Sequence, residues 1–159
     1  MKLELENKLV EKYPAMFVNY RGDLRETCMA FGFECGDGWY DILNKLCGLI
    51  SFKIEWFRSV MPDAKLNLIV DQVKEKYGTL RFYYSFQYEY ESLTDSQRTR
   101  IDAWMSEIAG MVQMSEEMSS ITCESCGSKS ELEPAPFPRS ECDACATIRA
   151  DERASRDFT

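Results

Sequence analysis

Cys123-Glu124-Ser125-Cys126 and Cys142-Asp143-Ala144-Cys145 are separated by residues 127–141, and no other feature restricts the fold of this chain as tightly. In each pair, two intervening residues let the backbone turn back so that both sulfurs reach one ion. The spacing between the pairs suits a four-thiolate zinc site. Gly127, directly after the first pair, permits the tight turn of a zinc knuckle. Two disulfides or a redox-active CxxC are the alternatives. The stretch from Ser128 to Ser140 contains Pro134, Pro136 and Pro138 and too few apolar residues for a core of its own. Metal therefore has to hold it, and a structural zinc supplies roughly 10 kcal/mol or more of apparent folding free energy. Four thiolates leave no position for water, so the expected Zn2+ is structural and not hydrolytic.

The other cysteines carry less. Cys47 falls on the apolar stripe of a helix and reads as a small core residue. Cys28 and Cys35 could begin a second site, but no further cysteine pair and no histidine is present to complete it. The lack of histidine also excludes dyads and triads built on imidazole. Paired carboxylates such as Glu116-Glu117 and Glu131 with Glu133 read as solvated charges, and no catalytic constellation emerges.

At 159 residues the chain suits one compact body with a metal-stapled appendage. The expected division is an α+β domain over 1–120, a zinc ribbon or knuckle over 121–146, and a flexible or weakly helical tail over 147–159. Net charge is −8. Residues 1–60 hold 8 basic and 9 acidic side chains, 61–93 hold 4 and 5, 94–120 hold 2 and 5, and 121–159 hold 5 and 8. No segment is positive, which disfavours nucleic acid and anionic membranes as partners. The opening Met1-Lys2-Leu3-Glu4 lacks the apolar run of a signal segment, and no apolar stretch approaches the ~20 residues of a membrane span. A soluble, cytoplasmic protein is expected.

Leu3 to Tyr13 is rich in helix formers and ends before Pro14. From Ala15 to Gly38 the periodicity is lost and an irregular segment is expected. Gly32, Gly36 and Gly38 around Asp37 allow either a phosphate cradle or, better, a plain turn in which Asp37 caps the next helix. That helix carries Trp39, Ile42, Leu43, Leu46, Cys47, Ile50, Ile54 and Phe57 at three- and four-residue spacing and stops before Pro62. Leu66–Val73 and Leu80–Phe86 read as the strands of a β-hairpin around Lys74 to Thr79, with Gly78 at positive φ. Leu80, Phe82, Tyr84 and Phe86 then share one face, and Arg81, Tyr83 and Ser85 the other. Thr94 with Gln97 forms a capping box that opens a third helix, with Ile101, Trp104, Met105, Ile108, Met111, Val112 and Met118 along its stripe. Amphipathic helices packed on a β-hairpin or small antiparallel sheet, followed by the zinc ribbon or knuckle, complete the expected α+β fold.

Lys74, Lys76, Tyr77, Arg81 and Tyr83 form the candidate ligand-binding set, since cations beside tyrosines hold a phosphate and stack on a ring. A solvated hairpin with cross-strand packing is the plainer reading of the same residues.

Read in order, Cys35 to Cys47, the string Val73-Lys74-Glu75-Lys76-Tyr77-Gly78-Thr79-Leu80-Arg81-Phe82-Tyr83-Tyr84 and the two CxxC pairs resemble a group of small uncharacterised bacteriophage-encoded proteins, over residues 12–146. The hairpin string is the most specific of the three motifs. The loop from Pro134 to Pro138 departs from the shorter aromatic-glycine loops of the group, so no ligand contact carries over to it. The resemblance implies no particular activity. It implies a phage accessory protein that binds and modulates a host or anti-phage defence protein in the bacterial cytoplasm. A nucleic-acid or transcription-associated zinc module and a nucleotide-signal binder, the latter in a homo-oligomer enclosing its ligand, are the alternatives.

Overall fold

The computed structural model describes residues 1–88, 93–132 and 138–156. Its elements are α1 (Leu3–Lys12), β1 (Phe33–Glu34), α2 (Tyr40–Val60), β2 (Asn67–Lys76), β3 (Thr79–Gln87), α3 (Asp95–Ser120), β4 (Glu131–Leu132), β5 (Ser140–Glu141) and α4 (Asp143–Arg156). The α+β class holds, with one difference from the sequence expectation. The main sheet is mixed, in the order β1-β2-β3, because the segment expected to be irregular contributes β1 in parallel with β2, Phe33 opposite Val73.

The hairpin is tighter than expected. Lys76 pairs with Thr79, leaving Tyr77 and Gly78 as a two-residue turn with φ of 55° and 76°, the signature of a turn whose twist matches the strands. Lys74 to Lys76 thus belong to β2 and not to the loop. Pairing also shifts between Val70 and Gln72, so that Asp71 is an extra residue on β2. This bulge keeps Leu68 and Val70 in phase with Val73 on one face, opposite Phe86, Tyr84 and Phe82. Without it, Val73 would fall on the opposite face of the sheet from Leu68 and Val70.

Leu80 and Phe82 are buried, with Tyr84 and Phe86 packed against the same core. That core takes in Leu43, Leu46, Ile50 and Phe57 of α2 and Ile101, Trp104, Ile108 and Val112 of α3. The Trp104 ring lies 5.3 Å from both Phe57 and Phe86, an aromatic bridge between helices and sheet. The Thr94–Gln97 capping box forms as expected. β3 is an edge strand, and α3 closes its outer side: Leu80 N–H donates to Ser119 Oγ at 2.8 Å and Phe82 N–H to Glu116 Oε1 at 3.0 Å.

Asp37 does not cap α2. It opens a short 3₁₀ turn, Asp37–Trp39, and α2 begins at Tyr40. Its carboxylate is taken by Lys2 at the head of α1, from the backbone N–H at 2.7 Å and from Nζ at 3.1 Å. Burial alone would push this carboxyl up; the Lys2 bonds and charge hold it below its ordinary value. Glu6 of α1, buried, ties down the segment before β1: it accepts from Tyr20 Oη at 2.7 Å, Arg21 Nη2 at 2.9 Å and Phe33 N–H at 3.2 Å. Among the described residues no helix is long and apolar enough to cross a membrane.

Candidate metal centre

The first CxxC forms a knuckle. Cys123 N–H donates to Ser128 O at 2.7 Å, Gly127 N–H to Cys123 O at 2.8 Å, and Thr122 bridges Lys129. Gly127 takes φ of 78° to close the turn. The second CxxC straddles the start of α4, where Ala146 N–H donates to Cys142 O at 2.9 Å. α4 therefore takes in residues 147–156, most of the segment expected to be a flexible or weakly helical tail. The short sheet of β4 and β5 links the two pairs, with Glu131 opposite Glu141 and Leu132 opposite Ser140. Glu124 N–H donates to Ser140 O at 2.8 Å and binds the knuckle to β5. Pro134 and Pro136 lie outside the described residues, as do Glu133 and residues 157–159.

The Sγ atoms of Cys123, Cys126, Cys142 and Cys145 all lie within 4.8 Å of one another, and those of Cys126 and Cys142 are 3.7 Å apart. Metal–sulfur bonds of about 2.3 Å in a tetrahedron set sulfur–sulfur separations of about 3.8 Å. All four thiols are free. The cluster fits a metal site, and the donor set, four soft sulfurs in a tetrahedron, suits zinc or iron. Cys123 is fully buried, while Cys126 is exposed. Hydrogen bonding to Ser128, through side chain and backbone, and then to Cys123 and Cys145, holds the Cys126 thiol down at about 6. Cys145 is pushed up, chiefly by its bonds to Cys126 and Cys142.

The knuckle docks on the segment before α2. Gly38 N–H donates to Glu124 O at 2.8 Å, Gly36 N–H to Glu124 Oε1 at 2.8 Å, and the buried Trp39 indole Nε1–H to Thr122 O at 2.8 Å. Burial raises the Glu124 carboxyl above its ordinary value, against the Gly36 bond that lowers it. A Cβ on Gly38 would meet Cys123 O at 2.1 Å and Gly127 N at 2.3 Å; one on Gly36 would meet Glu124 O at 2.3 Å. These glycines let two backbones touch. A phosphate cradle is excluded there because the Cys123–Gly127 backbone fills the space. The hairpin turn docks as well: Ser140 Oγ donates to Gly78 O at 2.5 Å, and a Cβ on Gly78 would meet Leu132 Cδ1 at 2.4 Å.

The candidate ligand-binding residues separate into three groups. Lys74 Nζ lies over the Tyr83 ring at 5.5 Å, and Lys76 Nζ over the Tyr77 ring at 5.5 Å. Arg81 is engaged elsewhere, donating to Leu80 O at 2.9 Å and lying 3.8 Å from Glu116 Oε2. Lys76 and Tyr77 line a cleft of about 370 Å³ with Glu75, Pro138 and Arg139, and Arg139 is a cation that the hairpin motif does not reveal. Cys28 is exposed on a 3₁₀ turn, while Cys35 and Cys47 are buried. Burial pushes the Cys35 thiol up to about 12 and Cys47 higher still. Among the described residues none of these three joins a group of three or more metal-ligating side chains.

A second surface escaped sequence reasoning. On α2, Leu49, Phe52, Trp56 and Val60 are exposed, and on α3 so are Met114 and Met118, each between 47% and 64%. Met118, expected on the buried stripe, is therefore an outward residue. The signal was present as a second apolar line, 49, 52, 56 and 60, on a helix whose core-facing line is already filled. Comparison with protein families, curated proteins and solved structures finds no match.

Proposed function

We propose that this chain is a non-catalytic, partner-binding protein, with one structural zinc ion in its four-cysteine centre and its working surface along α2 and α3. The observation that carries this reading is the row of large apolar side chains, Leu49, Phe52, Trp56 and Val60, left in solvent. Large apolar side chains exposed in a row on one helix face mark an interaction surface. Four thiolates fill a tetrahedral zinc and leave no place for substrate or water, so the ion acts on shape alone. The absence of histidine and the engagement of the buried Glu6 by three partners support a binding role over catalysis. The resemblance to bacteriophage-encoded proteins supplies the setting: the partner is a host or defence protein in the bacterial cytoplasm.

Capture from host lysate by wild-type chain, compared with capture by Phe52→Glu and Trp56→Glu, tests the reading. A protein recovered by wild type and lost with both variants is the expected result. Capture that survives both substitutions, or recovery of nothing, sinks it. Elemental analysis tests the ion, with one zinc per chain expected and iron or no metal counting against it.

A second reading rests on the cleft between the hairpin turn and the cysteine ribbon. Lys76, Arg139 and the exposed Tyr77 ring there suit a nucleotide-like anion. A thermal shift with nucleoside phosphates that disappears in Arg139→Ala is its expected signature; no shift in the wild-type chain removes it.

A further inference from the structure

The groove between α2 and α3 has a shape and a charge that specify more than "a partner". The helices run antiparallel with Lys53 Nζ bonded to Glu107 Oε2 at 2.5 Å between them. On one side of this ion pair Leu46 and Leu49 face Met111, Met114 and Met118 around a hollow of about 350 Å³. On the other, Trp56 and Val60 face Ala103 and Trp104 around a second hollow of about 180 Å³. The hollows are centred some 12 residues apart on α2, about 18 Å by the rise of an α-helix.

Two apolar hollows in line along a trough between helices match the way an amphipathic helix lies in a groove, inserting side chains from one face. Methionine suits the lining, because its unbranched, polarizable side chain repacks around different shapes. An added strand does not fit, since the α3 side of β3 is already occupied by Ser119 and Glu116. Charge narrows the occupant further. From Ile101 to Ser128 the chain has no lysine or arginine, while Asp102 and Glu117 are exposed on α3 and Glu107 is paired with Lys53. At the groove itself Lys53 is neutralised by Glu107, and Asp41 lines the same hollow as Lys45, which leaves Arg100 at the far end. With a net charge of −8, a second copy of the chain or an anionic lipid surface would approach against repulsion.

Resting on the partner-binding reading above, we infer that the α2–α3 groove receives an amphipathic helix of another protein, with apolar anchors about 12 residues apart and lysine or arginine on its flanks. Aliphatic or aromatic anchors fill the two hollows. The basic flank lies along α3.

The probe is a synthetic amphipathic Leu/Lys helix of about 18 residues, titrated by calorimetry into the full metal-loaded chain, with a Leu/Glu helix of the same pattern as its counterpart. The Leu/Lys helix is expected to bind one to one and at least about tenfold more tightly than the Leu/Glu helix, a gap of about 1.4 kcal/mol. Leu49→Glu and Met114→Glu, both at exposed positions, are each expected to weaken it by about tenfold or more, while Val18→Glu, at an exposed position outside the groove, leaves it unchanged. Equal binding of the two peptides, or insensitivity to Leu49→Glu and Met114→Glu, overturns the inference. So does a dimer in light scattering that Leu49→Glu dissolves, or binding to phosphatidylglycerol vesicles that the same substitution abolishes. No peptide binding together with lysate capture lost in Phe52→Glu overturns the helix but leaves the partner-binding reading standing; no peptide binding and no capture sinks both.

Discussion

The α+β body and the cysteine ribbon reach a defined shape by different means. In the body, apolar side chains from two long helices and three strands meet in one core, and hydrophobic burial is the main stabilising term. In the ribbon, α4 buries no residue, β4 is exposed on both its residues, and among the described residues the buried groups around the knuckle are Cys123, Ser130 and Ser140. On the proposed zinc reading, sulfur ligation supplies there what burial supplies in the body. The two regions are nevertheless joined, through Trp39, Gly38 and Glu124 on one side and Gly78 with Ser140 on the other. The knuckle is thus also the surface on which the segment before α2 rests.

Four substitutions test how far that contrast extends. Cys142→Ser has the largest expected effect: bound metal falls from one per chain to none, with a loss on the order of 10 kcal/mol of apparent binding and folding free energy. Trypsin should then cut at Lys129 and Arg139 while residues 1–88 stay protected; a ribbon that stays protected without metal would erase the distinction between the regions. Ile50→Ala, at a fully buried site, should cost the body roughly 2–5 kcal/mol in denaturant unfolding, with metal content unchanged. Gly38→Ala forces a methyl group against Cys123 O and Gly127 N and should cost about 3 kcal/mol by overpacking. Metal retained at one per chain would place that cost in the joint; metal lost would make joint and centre one unit. Trp39→Phe removes the bond to Thr122 O and should lower stability by about 1 kcal/mol, read as a small drop in the thermal midpoint with metal content unchanged.

Much of the body was legible from local pattern. The capping box at Thr94, the stop before Pro62 and the alternation from Leu80 to Phe86 each depend on neighbours a few residues away, and each appears where expected. The Asp71 bulge was not legible, although the polar pair Asp71-Gln72 interrupts the apolar run at that point. β1 was missed because two residues pairing with a distant strand leave no periodicity to detect. At the candidate metal centre, the four cysteines that come together followed from spacing, because two residues between cysteines suit both sulfurs to one point whatever lies around them. Its environment did not follow. Arg139 joins Lys76 and Tyr77 only when the ribbon folds against the hairpin. Arg81 leaves that group for Glu116 because α3 passes beside β3.

The sequence by itself determined the ligand set, the helix and strand periods and the acid-rich charge of α3, since these are properties of residue identity and short-range spacing. Only the tertiary structure decided what Gly36 and Gly38 are for, which face of α2 remains uncovered and where the knuckle rests. Those outcomes depend on backbones far apart in the chain approaching within van der Waals contact, and steric exclusion of that kind is written in no single segment.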